Sequence, residues 1–188
     1  MLHHLRPALT LVVVMTALTG LAYPLAITGI AETLMPAQAN GSLIEQNGKI
    51  IGSQLIGQSF TSDRYFWSRP SATSPDPYNA DSSSGSNLGP TSAKLRDRVA
   101  ADVARLEKSG IAKPIPADAV TTSGSGLDPD ISPAFARAQI ARVAKARSLD
   151  ETKLAALVDN AIEKPAFGFI GEPRVNVLAL NLSLDHLR

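Results

Sequence analysis

The chain has 188 residues, a formal net charge of +1 and no cysteine. A net charge this close to zero, without a basic run or tail, argues against a nucleic-acid partner, and the lack of cysteine excludes disulfides and thiol nucleophiles. The three histidines, His3, His4 and His186, all lie near the ends of the chain, which argues against a catalytic triad or a zinc site.

The first predicted element is a long apolar run. No charged residue occurs between Arg6 and Glu32. Residues 8–31 are about 24 residues, which as a helix would reach about 36 Å and so cross a ~30 Å hydrocarbon core. We therefore expect an N-terminal tip over residues 1–7, one transmembrane helix over residues 8–31 and a single soluble domain over residues 36–188.

The flanking charges predict the orientation of this helix. Arg6 precedes it, whereas Glu32 and Glu45 are the first charges beyond it. By the positive-inside rule the tip is cytoplasmic and the domain is extracytoplasmic, in the periplasm of a Gram-negative cell. The alternative is a signal peptide cleaved after Ala39, which would release a secreted binding module, but the apolar run is longer than the ~7–15 residues of a signal core.

Three residues of the predicted span favour contact with a partner helix. Thr16 and Gly20 are small and four residues apart, so they share a helix face, although chance could also produce this pair. Pro24 removes a backbone hydrogen bond and frees a carbonyl that lipid cannot satisfy. We expect a kink near Tyr23 and Pro24.

The soluble part opens with a hairpin and an aromatic segment. Residues 43–46 and 49–52 read as strands around Asn47-Gly48, a pair typical of a type I′ turn. Residues 60–78 then hold five of the chain's nine aromatic residues. We interpret this segment as a small core that fixes irregular backbone, and keep as the alternative a partner-docking surface formed by Tyr65, Phe66 and Trp67.

The remaining elements are predicted mostly as helices. A loop over residues 81–90 precedes an amphipathic helix that opens at Pro90-Thr91 and ends at Ser109-Gly110. A Gly-Ser loop over residues 123–129 is followed by a helix that begins at Ser132-Pro133. A further helix begins with a capping box of Ser148 and Glu151 and stops before Pro165, and residues 175–184 are predicted to form a buried strand. The fold class is therefore α+β.

Few catalytic arrangements remain for such a chain. The sequence has no phosphate-binding loop and no nucleophile elbow. A membrane-anchored extracytoplasmic hydrolase with a serine-lysine pair stays open as the alternative function, although no motif selects the pair.

Blocks of sequence along nearly the whole chain resemble one family. They are Leu5-Arg6-Pro7-Ala8, Thr19 to Pro24, Gly52 to Phe60, Tyr65 to Ala72, Pro77-Tyr78-Asn79, Ser84 to Pro90, Ser123 to Ser132, Arg142-Val143-Ala144 and Gly171 to Asn181. Together they are similar to the C subunit of the bacterial Kdp potassium-transporting ATPase. One departure is Asp130, where the family usually has histidine.

This resemblance implies an accessory, non-catalytic subunit of a high-affinity ATP-driven potassium uptake complex in the inner membrane. Its implied partners are a channel-like potassium-translocating subunit, an ATP-hydrolysing P-type ATPase subunit and a small stabilising peptide. The family is described as a catalytic chaperone that raises the ATP affinity of the ATPase subunit through a transient ternary complex with ATP. An extracytoplasmic domain cannot meet cytoplasmic ATP, so we expect this effect to be indirect.

Overall fold

The computed structural model describes residues 2–187. Met1 and Arg188, which the sequence assigns to the tip and to the end of the domain, lie outside the described residues. The chain divides into two compact units, Met1–Ile51 and Gly52–Arg188, and each is described by itself.

The first unit contains one continuous apolar helix, Leu5–Leu34, of 30 residues. By length and composition this helix could cross a membrane, and it extends beyond the predicted limits of 8–31 at both ends. It consists of α1 (Leu5–Met15), a π-helical stretch (Thr16–Ala22) and α2 (Tyr23–Leu34), none of which has a buried residue. A short helix α3 (Pro36–Ala39) follows.

The π-helical stretch lies directly before the predicted irregularity at Pro24. The backbone N–H of Tyr23 donates to the carbonyl of Leu18, five residues back. Proline has no N–H, and its ring clashes with the carbonyl four residues earlier in a regular α-helix, so a widened turn here accommodates Pro24. A Cβ built on Gly20 would lie 3.8 Å from Cγ2 of Thr16, which confirms that these two residues share a face.

The predicted hairpin is present. Strands β1 (Leu43–Gln46) and β2 (Lys49–Ser53) form a two-stranded sheet. Asn47 has φ 54° and Gly48 has φ 74°. Both angles are in the left-handed region that a type I′ turn requires, so the Asn-Gly pair sets the turn.

The second unit is a mixed domain of helices and short strands. Its regular elements are α4 (Ala93–Lys108), β3 (Asp130–Ile131), α5 (Pro133–Ala138), α6 (Ile140–Arg147), α7 (Glu151–Asn160), β4 (Ile162–Glu163), β5 (Arg174–Asn176) and α8 (Val177–His186), with 3-10 turns at Ala80–Ser82 and Ala117–Ala119. The three strands form an antiparallel sheet in the order β3-β5-β4. With the apolar N-terminal helix, this domain confirms the predicted α+β class.

One core joins these elements. Helix α7 packs against α5, α6 and α8, and β5 contacts α5 and α8. The largest fully buried apolar side chains are Phe66, Leu106, Ile111, Phe135, Val143, Leu154, Val158, Val175, Val177, Leu180 and Leu184. Phe66 comes from a segment without regular structure, so the core depends on that segment being held in place.

The strand predicted over residues 175–184 is wrong. Only Arg174–Asn176 is a strand, and Val177–His186 is a helix. Oδ1 of Asn176 accepts a hydrogen bond from the N–H of Ala179 at 3.0 Å and so caps the helix. The buried residues of this helix are 177, 178, 180, 181 and 184. Residues 177, 180, 181 and 184 follow helical spacing, and one of them is the polar Asn181. The leucines at every second position therefore give a strand-like pattern in a segment that is helical.

Two helix starts also differ from the prediction. The capping box at Ser148 is wrong, because α7 begins at Glu151 and its cap is Asp150, which accepts from the N–H of Thr152 at 2.7 Å. Ser148 instead has φ 56° and ends α6. The amphipathic helix opens later than predicted, after a cap at Ser92.

The helix that starts at Ser132 is shorter than its apolar pattern indicates. Ser132 is its N-cap, as predicted, and Oγ accepts from the N–H of Phe135 at 3.0 Å. At Gln139 the chain makes a tighter i to i−3 bond to the carbonyl of Ala136. This turn separates α5 from α6 and directs the side chain of Gln139 into the core, where it is fully buried.

Candidate functional site

The predicted aromatic segment crosses the domain as irregular backbone. Phe66 is fully buried, Trp67 is buried and Tyr65 is half-buried. Buried peptide groups need hydrogen-bond partners, and this stretch belongs to no sheet that would supply them. Its partners must therefore be side chains.

Two side-chain amides supply these partners. Oδ1 of Asn181 accepts from the N–H of Phe66 at 2.8 Å, and Nδ2 donates to the carbonyl of the same residue at 3.0 Å. Oε1 of Gln139 accepts from the N–H of Trp67 at 2.7 Å, and Nε2 donates to its carbonyl at 3.1 Å. Each side-chain amide thus makes the two hydrogen bonds that a neighbouring β-strand would make with one residue. We call this arrangement of Gln139 and Asn181 on Phe66 and Trp67 the amide clamp.

A buried arginine reinforces the amide clamp. Arg142 donates to the carbonyls of Asp63 at 2.9 Å and Tyr65 at 3.0 Å, and to Oε1 of Gln139 at 2.6 Å. Its guanidinium lies 3.7 Å from the centroid of the Trp67 ring, a cation-π contact. Burial lowers the pKa of Arg142 to about 10, partly offset by Asp63, so the guanidinium is charged at neutral pH.

Asp185 and Arg147 hold the side chain of Tyr65. Its hydroxyl donates to Oδ2 of Asp185 at 3.1 Å, and the guanidinium of Arg147 lies 4.7 Å from its ring centroid. Arg147 also pairs with Oδ1 of Asp185 at 2.6 Å and donates to the carbonyl of Arg64 at 2.6 Å. The segment therefore forms part of the domain core and is rigidly held, in agreement with the interpretation as a small core.

A groove opens on one side of Trp67. Its volume is about 710 Å³. The charged side chains that line it are Arg69, Lys94, Arg98, Asp102 and Arg105, and its aromatic lining consists of Phe60, Trp67 and Tyr78. Residues 94, 98, 102 and 105 recur at helical spacing and so share one face of α4. We call this cavity the basic groove.

Carboxylates neutralise part of the charge in the basic groove. Asp102 lies 3.7 Å from Arg98 and 3.3 Å from Arg105. Arg69 pairs with Asp128 at 2.7 Å. Lys94 is exposed and adds a further positive charge. Four cations thus face two carboxylates, an arrangement that attracts anions but contains no nucleophile paired with a base.

Tyr78 forms one wall of the basic groove. Its hydroxyl donates to the carbonyl of Arg69 at 2.6 Å. Burial raises the pKa of Tyr78 to about 12, with the Asp128 charge acting in the same direction. The phenol is therefore neutral at physiological pH and acts as a structural donor. Within residues 2–187, no three His, Asp or Glu side chains lie close enough together to hold a metal ion.

The six residues singled out from the sequence fall into two groups. Thr16, Gly20 and Pro24 lie in the first unit, and Tyr65, Phe66 and Trp67 lie in the second. Since Phe66 is fully buried, a partner protein could meet these three residues only at the accessible part of Tyr65 or, through the basic groove, at Trp67. Partner contact by either group stays a prediction.

Sequence reasoning missed the side chains that organise the segment. Gln139 and Asn181 occupy positions in otherwise apolar helix stripes, such as Phe135-Gln139-Val143. A polar residue at a core position is a recognisable pattern, because a buried amide must have hydrogen-bond partners. That pattern could have indicated the clamp, but not which backbone it binds.

Comparison with known proteins identifies the family. The family model described as "K+-transporting ATPase, c chain" matches residues 5–186. The chain belongs to the KdpC family. This match covers both the apolar helix and the mixed domain, and it confirms the resemblance found in the sequence.

Several curated relatives are similar over nearly their whole length. The protein of Methylobacterium nodulans is 60% identical over 198 residues, which cover 100% of this chain and 98% of the relative. That of Allorhizobium ampelinum is 60% identical over 185 residues, with coverages of 98% and 97%. That of Bradyrhizobium diazoefficiens is 57% identical over 196 residues, with 98% of each covered. Each is named "Potassium-transporting ATPase KdpC subunit".

Proposed function

We propose that this chain is the accessory subunit of a high-affinity, ATP-driven potassium uptake complex and that it assembles or stabilises that complex. Its partners are a channel-like potassium-translocating subunit, an ATP-hydrolysing P-type ATPase subunit and a small stabilising peptide. The observation that carries this proposal is the KdpC family match over residues 5–186. Deleting the gene should abolish growth on limiting potassium, and the unaltered chain should restore it. Unimpaired growth of the deletion strain would contradict the proposal.

The exposure of the lysines favours an accessory role over a hydrolase. A serine-lysine pair needs a lysine that burial has made neutral enough to act as a base. Every lysine of the chain lies in the described part and is exposed, including Lys94 at the basic groove. The hydrolase alternative therefore has no suitable base.

The proposed location is the inner membrane, with the tip in the cytoplasm and the domain in the periplasm. The support is the position of Arg6 before the predicted span of residues 8–31 and of Glu32 and Glu45 after it. The chain has no cysteine, so a single introduced cysteine is its only thiol. In spheroplasts, a membrane-impermeant maleimide should label Ala100→Cys, on an exposed position of α4. His4→Cys should be labelled only after lysis, and the reverse pattern would contradict the orientation.

We further propose that the chain raises the ATP affinity of the ATPase subunit as a catalytic chaperone in a transient ternary complex with ATP. With the domain in the periplasm, the effect would pass through the conformation of the ATPase subunit. The residual complex that forms without this chain should have a higher KM for ATP than the complete complex. An unchanged KM would contradict the chaperone role.

The face of the apolar helix that contains Thr16 and Gly20 is proposed to pack against a partner helix. A Cβ on Gly20 would meet only Cγ2 of Thr16, at 3.8 Å, so a larger side chain there projects outwards without disturbing its own helix. Pro24 adds a freed carbonyl that lipid cannot satisfy. Gly20→Leu should weaken co-purification with the transport subunits, whereas Val13→Leu should not. Equal co-purification of both variants would show that the helix is only a tether.

A further inference from the structure

A turn between β4 and β5 displays aromatic side chains to solvent. We call residues 165–171 the phenylalanine turn. Phe167 is 88% exposed, Phe169 is 78% exposed and Ile170 is 55% exposed. They are three of the four large apolar side chains that the described part of the second unit exposes, the fourth being Leu55. Burying such side chains would stabilise the domain, and this domain leaves them in water at the turn.

The phenylalanine turn is an ordered structure. The N–H of Ala166 donates to the carbonyl of Ile170 at 2.9 Å, and the N–H of Ile170 donates to the carbonyl of Ala166 at 2.9 Å. The N–H of Gly168 donates to the carbonyl of Pro165 at 3.0 Å. The turn therefore presents its side chains from a defined backbone.

The conformation of Phe167 is unfavourable in isolation. Its φ is 55°, in the left-handed region that bulky residues avoid. Gly168 follows with φ 83°, a value that glycine adopts readily. A strained backbone that holds an exposed aromatic residue indicates a functional constraint, because neither feature stabilises the free domain.

The charges beside the turn favour a protein partner over a lipid surface. Glu163 and Glu172 balance Lys164 and Arg174. Arg174 is already paired, at 2.8 Å from Glu163 and 3.0 Å from Asp130. Segments that bind anionic membranes usually carry more lysine and arginine than acidic residues beside their apolar side chains. The charges beside the phenylalanine turn are balanced, so this excess is absent.

We propose that the phenylalanine turn is a docking element that inserts Phe167 and Phe169 into an apolar pocket on another subunit of the potassium-transporting ATPase. This inference rests on the proposed function, since it requires the chain to work within a complex. Buried aromatic anchors at the centre of an interface supply much of its binding energy. The balanced charges around the turn would form a polar rim around the two rings.

The test uses the full chain, co-expressed with the other subunits. The variant Phe167→Asn/Phe169→Ser removes both rings, and asparagine tolerates the left-handed backbone. Leu55→Ser is the matched control, because Leu55 is 62% exposed and lies outside the turn. We expect the double variant to reduce co-purification at least tenfold and the control to leave it unchanged. Unchanged Trp67 fluorescence of the double variant would show that the domain still folds.

Photo-crosslinking identifies the molecule that the phenylalanine turn contacts. A benzophenone amino acid at position 169 should crosslink to another subunit of the complex. Crosslinks to lipid alone, or to a second copy of this chain, would overturn the proposal. If the double variant co-purifies as well as the unaltered chain, only this inference fails, whereas failure of the unaltered chain to co-purify would refute the proposed function itself.

Discussion

Replacing Asn181 by alanine should destabilise the domain strongly, although it removes only one small polar side chain. Asn181 is 2% exposed, and its amide binds the N–H and the carbonyl of Phe66 at 2.8 and 3.0 Å. Asn181→Ala leaves both backbone groups buried without these partners. At about 1–3 kcal/mol for each such group, the expected loss is about 2–6 kcal/mol. That is a large part of the ~5–15 kcal/mol that stabilises a typical domain.

Urea unfolding of the full chain in detergent measures this loss. Trp67 is the only tryptophan, and it adjoins Phe66, so its fluorescence reports on the amide clamp. The matched control is Asn160→Ala, an exposed asparagine at the end of α7, which should change the free energy of unfolding by less than about 0.5 kcal/mol. If Asn181→Ala is as stable as this control, the hydrogen bonds of the clamp do not stabilise the fold.

The double variant tests whether the two amides act on one segment. Gln139→Ala alone should lower the free energy of unfolding by a similar amount, since Gln139 binds both backbone groups of Trp67. Once one of the two amides is removed, the segment is held less firmly. Removing the other amide should then lower the free energy of unfolding by less than it does in the unaltered chain. The two effects should therefore sum to more than the loss in the double variant. Strict additivity would show that Phe66 and Trp67 are held independently.

Further predictions concern single residues. Burial raises the pKa of Asp130 above its usual 3.8, so the folded chain loses stability as pH rises from that value through the raised pKa. The urea midpoint of Asp130→Asn should therefore rise relative to that of the unaltered chain as the pH increases above 3.8, and a constant difference would contradict this. Gly57→Ala should cost about 1–3 kcal/mol of unfolding free energy, because its Cβ would lie 2.6 Å from the carbonyl oxygen of Asp128, whereas Gly89→Ala has open space and should be neutral. Asn176→Ala should lower the free energy of unfolding in urea by about 1 kcal/mol, because it removes the cap of α8.

Features that depend on local backbone preference were predictable from the sequence. Asn47 and Gly48 adopt the positive φ angles of the predicted hairpin turn. Gly110 ends α4 with φ 92°, and Ser132 caps α5. In each case the residue's own conformational or hydrogen-bonding preference determines the geometry, so no distant contact is needed.

Features that depend on distant contacts were not predictable. Asn181 binds a residue 115 positions away, and Gln139 binds one 72 positions away. Without those partners, Asn181 is a polar residue between alternating leucines, and this alternation predicts a strand where the structure has α8. Likewise the aromatic segment could be recognised as a small core, but the sequence did not reveal that two amides and Arg142 hold it.

The most direct test of the proposed accessory role is native purification of the tagged full chain. Membranes would come from cells grown on limiting potassium, and the gentle detergent extract would be separated on a native gel and analysed by mass spectrometry. We predict that the chain migrates in one complex with a P-type ATPase subunit and a channel-like potassium-translocating subunit. Migration of the chain alone, while those two subunits form a complete complex without it, would contradict the account.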